Sequence, residues 1–334
     1  MSSKKTDLTL GSTKKHLFNL SWPMSFGILA VLSTSLVDTY FVGQLGTEQL
    51  AALSFTFPVA LAINSISIGF GVGTSSVISR VIGSGNKDAA KRVATDSLIL
   101  ATLVISFFAI LGSLTVIPLF SAMGAKGVIL SYIDQYMQIW FISLPLVVIP
   151  MVSGSIIRAL GDSFWPSIQM VISAIVNVFL TPLFMFGAGP IPAFGIKGAA
   201  IGTALAWFAT LFLAIWLIAV REKMITLEPV KFIKILDSWK QIIKVGVPSA
   251  LSQVIHPVSI GVVTSFIAIY GADSVAAFGV ATRIESILLI PLFALSAGIP
   301  PIAGQNWGAG KMARIKETLS FSYCLLYTSP SPRD

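Results

Sequence analysis

Four ionisable residues, Asp38, His256, Arg283 and Glu285, stand inside long apolar stretches of this 334-residue chain, and Asp96 and Asp134 lie nearer the ends of two others. A charged side chain inserted into a bilayer core costs several kcal/mol, so each is a candidate proton carrier, ion ligand or substrate contact. Asp38 leads. It lies about six residues, or ~9 Å at 1.5 Å per residue, from the outer end of the first stretch. A lone carboxylate at that depth can exchange a proton or ligate Na+, and a structural Asp hydrogen-bonded between helices is the alternative. Asn177 and Thr181 are one helical turn apart on one face of the fifth stretch, and Thr203 lies near the outer end of the sixth. With Asp38 they would form a polar cluster in the outer half of the bundle. Its oxygens suit a hard cation, with Na+ at Asp38 and Asn177 as the metal reading. Polar residues that simply hold helices together are the competing explanation. His256, beside Pro257, and Gln253 in the seventh stretch join Arg283 and Glu285 as a candidate second proton or substrate site. Arg283 and Glu285 are two apart and do not face each other on a regular helix.

Other chemistry is excluded by what the chain lacks. Gly83-Ser84-Gly85 has no following GK[ST], so a phosphate loop is ruled out. There is no HExxH, and two histidines, His16 and His256, do not make a histidine-rich catalytic metal site. No GxSxG is present. The single cysteine, Cys324, excludes disulfides, and no thiol chemistry is expected. An enzyme embedded in the membrane would need an acid, base or nucleophile constellation that these few residues do not assemble. Neither enzymatic activity nor an organic cofactor is expected.

The elements that must position these residues are transmembrane helices. Hydrophobic residues make up 55% of the chain and charged ones 11%, against ~25% charged in soluble domains. Apolar stretches fall at 17–43, 50–79, 93–120, 132–157, 164–187, 198–220, 242–269 and 274–303, each near or above the ~20 residues that span a bilayer. The expected fold is therefore all-α and polytopic, with eight whole spans and a ninth beginning near Thr318. The first span is too long, and lacks a cleavage site, to be a signal peptide. Most Lys and Arg fall in alternate loops, and only Lys126 and Lys197 fall in the opposite ones. That bias predicts a multi-pass protein of the cell membrane with a cytoplasmic N-terminus. It also accounts for the net charge of +8 without a nucleic-acid partner.

An internal repeat is visible at an offset of 225. It maps Pro23 onto Pro248, Gly46 onto Gly271, Ala51-Ala52 onto Ala276-Ala277, Gly73 onto Gly298, and Gly83-Ser84-Gly85 onto Gly308-Ala309-Gly310. Six spans separate the copies, so they share an orientation, as in transporters built from parallel repeats. A second copy of equal length would run to about residue 450, and the chain is expected to stop mid-repeat. Residues 324–334, CLLYTSPSPRD, read as an adapter-derived tail and are set aside from fold reasoning.

The segments PMSFGILAVLSTSLVDTYFVGQLGTEQLAA (23–52), SRVIGSGNKDAA (79–90), RALGDSFWPS (158–167), NVFLTPLFMFG (177–187), GIKGAAIGTALA (195–206) and GQNWGAG (304–310) together resemble the bacterial multidrug and toxic compound extrusion family. The resemblance implies twelve helices in two six-helix lobes around a central cavity, exchanging H+ or Na+ for organic, often cationic, drugs. On that frame 1–16 is a cytoplasmic tail, 17–220 the N-lobe, 221–241 a cytoplasmic linker and 242–323 a partial C-lobe. The position of Thr181 is often an aspartate in the family's NxxxDP pattern, and here the segment is NVFLTP. One carboxylate is thus missing, which weakens a Na+ site and favours H+. His256 falls near the place where many members carry a C-lobe acid. The partners implied are small organic molecules and the lipid bilayer, with the protein expected as a monomer. The nearest rival is a flippase for lipid-linked precursors on a related two-lobe fold. Its cavity would want several arginines, whereas the spans hold only Arg283.

Overall fold

A computed structural model describes residues 7–226, 228, 232–267, 269 and 272–328. The helices are α1 Thr13–Leu45, α2 Thr47–Gly83, α3 Lys87–Ala122, α4 Gly127–Ala159, α5 Phe164–Phe186 and α6 Ile196–Ile215, which continues through a π-helical turn, Trp216–Arg221. They are followed by α7 Phe232–Ile267, α8 Ala272–Leu288, α9 Ile290–Gly308 and α10 Met312–Thr328. Among the described residues seven continuous helices are long and apolar enough to cross a membrane, and α8 with α9 makes an eighth, broken span. Leu114, Ile142 and Phe179 are each more than 70% exposed on the bundle's outer faces, a surface compatible with hydrocarbon and not with water. The protein is a multi-pass helical membrane protein.

Three boundaries differ from the sequence expectation. The eighth span bends by 42° at Leu289, because Pro291 removes a backbone donor and its ring clashes with the preceding turn. α7 already begins at Phe232, within the stretch read as linker, and α10 begins at Met312 rather than near Thr318. Charged residues at these ends hid helical turns that extend past the apolar runs. α10 also continues through Cys324 to Thr328, and 329–334 lie outside the described residues.

The repeat becomes geometry where the two halves meet. A methyl added to Gly73 of α2 would stand 2.5 Å from the Ile242 carbonyl oxygen and 3.2 Å from the Gly246 nitrogen of α7. One added to Gly298 of α9 would stand 2.9 Å from Ser21 Oγ and 3.5 Å from Leu17 Cδ1 of α1. These two contacts are the same contact: Gly73, Ile242 and Gly246 become Gly298, Leu17 and Ser21 on exchanging the halves at the offset of 225. Likewise Gly83 meets the Gln305 backbone and Gly308 meets the Arg80 backbone, again equivalent pairs. Between them Gly304 faces Ser79, which is its own repeat mate. A pseudo-twofold axis therefore passes through the Ser79–Gly304 contact, and small residues let the backbones of α2 and α9 touch there.

The turns repeat as well. Gly85 (φ +83°) and Gly310 (φ +72°) are repeat mates in the left-handed region. Each closes a helix through a bond from the next residue, Asn86 N–H to the Val81 carbonyl at 3.3 Å and Lys311 N–H to the Asn306 carbonyl at 2.8 Å. Away from the seam, the first six helices pack around Ile78, Ile105, Met137, Phe141 and Val148, all buried. Gly112 makes room on α3 for the Phe141 ring.

Because the seam is backbone on backbone, a branched side chain cannot be absorbed by rotamer change. Gly83→Val is expected to cost ~1–3 kcal/mol or more, seen as a lower melting temperature in detergent. Gly279 has open space around its Cα, so Gly279→Ala should be neutral or stabilising by up to ~1 kcal/mol. Equal effects of the two substitutions would contradict the seam.

Candidate functional site

α5 presents Asn177 and Thr181, both buried, on one face. Pro182 follows at once and breaks the local hydrogen-bond ladder. α6 approaches this face through two glycines four apart. A methyl on Gly202 would stand 2.7–2.8 Å from Thr181 Cα, N and Oγ1, and one on Gly198 would press on the backbone of Phe184 and Met185. The close approach lets Asn177 Nδ2 donate to Thr203 Oγ1 at 3.0 Å, while the Thr203 hydroxyl donates to the Ala199 carbonyl at 3.0 Å. α1 reaches the same place because Gly27 accepts Ser167 and Met170 of α5 against its backbone.

Asp38 of α1 lies beside Thr181. Its Oδ1, Asn177 Oδ1 and Thr181 Oγ1 are all buried without a protein hydrogen bond of regular geometry. Asp38 of α1 thus meets Thr181 of α5 with Asn177 one turn along the same face, and no cationic side chain is paired to the carboxylate among the described residues. One turn closer to the ends where α1 and α5 stop and α6 starts, Val42, Met185 and Ala199 form a buried apolar layer, and Tyr136 of α4 packs against it. Such an arrangement suits a bare proton or a small hard cation.

The sequence-derived cluster Asp38, Asn177, Thr181 and Thr203 is therefore brought together in space. The second candidate group is not joined to it. Gln253 on α7 and Glu285 on α8 are exposed. His256 and Arg283 fall on α7 and α8, and their side chains lie outside the described residues. Asp96 is buried and paired by Arg92 at 3.0 Å, and its carbonyl accepts from Trp239 Nε1 at 3.0 Å, which marks a structural role. Asp134 accepts from Gln138 Nε2 at 3.2 Å, away from Asp38. Two contributors had escaped sequence reasoning. Tyr136 carries no local signal, but the Gly198-x-x-x-Gly202 spacing, a known close-packing pattern, was legible.

The fold and site define an α-helical membrane transporter with two halves of parallel orientation. A family model described as MatE matches residues 23–183 and 248–330. The chain belongs to this multidrug and toxic compound extrusion family, whose members are transporters and not enzymes. It is 41% identical over 306 residues to the FAD transporter of Shewanella oneidensis, covering 92% of this chain and 68% of that protein. It is 27% identical over 309 residues to the multidrug export protein MepA of Staphylococcus aureus, covering 91% and 67%. It is also 27% identical over 301 residues to the probable multidrug resistance protein YoeA of Bacillus subtilis, covering 87% and 64%. The chain thus spans about two thirds of the length of the curated relatives it matches. Among solved structures, the Vibrio cholerae MATE transporter VcmN superposes with a TM-score of 0.87 at 30% identity, covering 92% of this chain and 68% of that one. A MOP superfamily transporter from Pyrococcus furiosus gives 0.87 at 30%, covering 97% and 72%.

If the glycines and not the polar contacts hold α5 against α6, Asn177→Ala should cost only ~0.6 kcal/mol, the mean for interhelical hydrogen bonds in membranes. Gly202→Val should cost about 1–3 kcal/mol. Thermal unfolding of the two variants in detergent checks the order, and a larger loss in Asn177→Ala would make the polar residues glue.

Proposed function

We propose that this chain forms the ion-binding half, and part of the substrate path, of an exporter that exchanges H+ for organic, often cationic, compounds. The observation that carries the reading is the carboxylate of Asp38 set inside the bundle beside Thr181, with no cationic side chain paired to it among the described residues. Protonation of Asp38 would neutralise the one charge there. Na+ is the weaker reading, because Thr181 offers a neutral oxygen where a second carboxylate would be needed to offset dehydration of the ion. The seam contacts at Gly83 and Gly308 lie at the basic ends of α2 and α9. With the basic side cytoplasmic, the protein sits in the cell membrane, works as a monomer and needs no organic cofactor.

A second reading of the substrate is a flavin dinucleotide, favoured by the FAD transporter at 41% identity. Such an anion would ask for cationic side chains along the path. A lipid-linked pyrophosphate would ask for more, and Arg283 is the one arginine well inside a span.

The test is made in a pump-deficient bacterium expressing the protein that carries this chain. Accumulation of a fluorescent organic cation should fall, and Asp38→Asn should abolish the effect at equal membrane levels. Flavin appearing in the medium, with cation accumulation unchanged, would replace the substrate class and keep the coupling site. Wild-type export by Asp38→Asn would remove the coupling role altogether. Thr181→Asp, which restores the second carboxylate, should add Na+-dependent thermal stabilisation that the parent protein lacks.

A further inference from the structure

The described residues ahead of α1 do not trail away from the bundle. Leu8 is buried with Leu17, Leu20, Leu295 and Ile302, and the segment Leu8–Gly11 lies across α9 and α10 of the other half. Gln305 Oε1 accepts from Leu8 N–H at 3.2 Å while its Nε2 donates to the Ala159 carbonyl at the end of α4 at 2.8 Å. Asn306 Nδ2 donates to the Leu8 carbonyl at 3.1 Å, and Lys311 Nζ to the Thr9 carbonyl at 2.8 Å. Arg314 donates to the carbonyls of Gly11 at 2.7 Å and Leu8 at 3.2 Å, and its Nε is fixed by Asn306 Oδ1 at 2.9 Å. Gln305 and Asn306 are buried, so the bonds they make are shielded from water and a group orphaned there would be costly, while those of Lys311 and Arg314 run from partly buried to exposed.

Two comparisons inside the molecule separate this contact from ordinary packing. The repeat mates of Leu8–Gly11 are residues 233–236, which are helical within α7. In the first half the helix starts only after Gly11, with Ser12 as its cap. The repeat mates of Asn306 and Arg314 are Val81 and Ala89, which have no side-chain donor, and that of Lys311 is Asn86, which caps α3. The contact is therefore one-sided, added to a seam that is otherwise symmetric.

We propose that Leu8–Gly11 is a strap that holds the basic-side gate shut, and that Gln305, Asn306, Lys311 and Arg314 are its catch. Opening on the basic side must draw α1 and α2 away from α9 and α10. The strap is tied to α1 through Ser12, through Leu8 packed on Leu17 and Leu20, and through the Leu10 carbonyl at His16 Nε2, so it moves with α1 and this movement strips it from the catch. Its acceptors are main-chain carbonyls and Thr9 Oγ1, and Leu8 N–H donates in return, so the polar part of the strap's strength is set by the four catch residues. Loosening the catch raises the population open toward the basic side without altering the Asp38 site. The inference rests on the exporter reading only in assuming that the seam opens.

Ser79, buried on the axis, reports opening directly. In a Cys324→Ser background, Ser79→Cys is labelled with N-ethylmaleimide in nanodiscs, with exposed Ser84→Cys as the accessible reference and buried Thr210→Cys of α6 as the reference for general loosening. Lys311→Ala, Arg314→Gln and deletion of residues 1–11 should accelerate labelling at position 79 in that order, reaching on the order of tenfold, with labelling at positions 84 and 210 unchanged. A flat response at position 79, or a parallel rise at position 210, overturns the strap. Lys311→Ala touches only a partly exposed side chain, so it tests the idea even if the deletion fails to fold. Labelling needs no substrate or gradient. Graded opening without export would therefore sink the exporter reading alone, and export without graded opening would sink the strap alone.

Discussion

Helices in a bilayer gain nothing by hiding apolar surface from lipid, so they hold together where backbones come close enough for dense van der Waals contact. That constraint places almost everything here. Gly73 and Gly298 bring α7 and α1 onto α2 and α9, while Gly83, Gly304 and Gly308 bring α2 and α9 onto each other. The same device, used between α5 and α6 at Gly198 and Gly202, sets Thr203 within reach of Asn177. The polar site is a by-product of close packing, because only where α6 loses its side chains can the hydroxyls and amide of two helices meet.

Several serines buried within the bundle are spent locally. Ser65, Ser67, Ser79, Ser153 and Ser155 each donate to a carbonyl one turn back on their own helix. Among the described residues, every side-chain hydrogen bond that crosses from the first six helices and the segment before them to the later ones lies at the basic end: Trp239 to Asp96, Gln305 to Ala159, and the bonds to Leu8–Gly11. A seam made of dispersion contacts along its length, with directional bonds at one end, has its strength concentrated where an opening would begin. This mechanical asymmetry is what an alternating-access reading of the fold requires.

The spans were legible because twenty apolar residues in a row have few other uses, and the repeat because glycines at a backbone crossing tolerate no substitute. Asp38, Asn177 and Thr203 were legible by depth and chemistry. Helical ends were less so: Phe232 and Met312 start helices among charges, and hydropathy does not report a turn that lies in the headgroup layer. Pro291 offered a signal for the bend at Leu289 that a span-length reading passed over. Tyr136 and the strap had no signal of their own. Tyr136 is defined by which face of α4 turns toward Val42, Met185 and Ala199, and most of the strap's acceptors are backbone carbonyls that any sequence would supply.

The two halves match in packing and differ in chemistry, and the reason lies in the pseudo-twofold. Each seam contact is made twice, once by a residue and once by its repeat mate, so the contact of Gly73 with α7 recurs as that of Gly298 with α1, and that of Gly83 with Gln305 as that of Gly308 with Arg80. No such reciprocity governs residues facing the interior of one half. Asp38 has Val263 as its mate, His256 has Val31, Arg283 has Pro58 and Glu285 has Ala60. A carboxylate at position 38 therefore has no repeat mate of like charge, so the seam is matched in its contacts while the interiors of the two halves carry different chemistry.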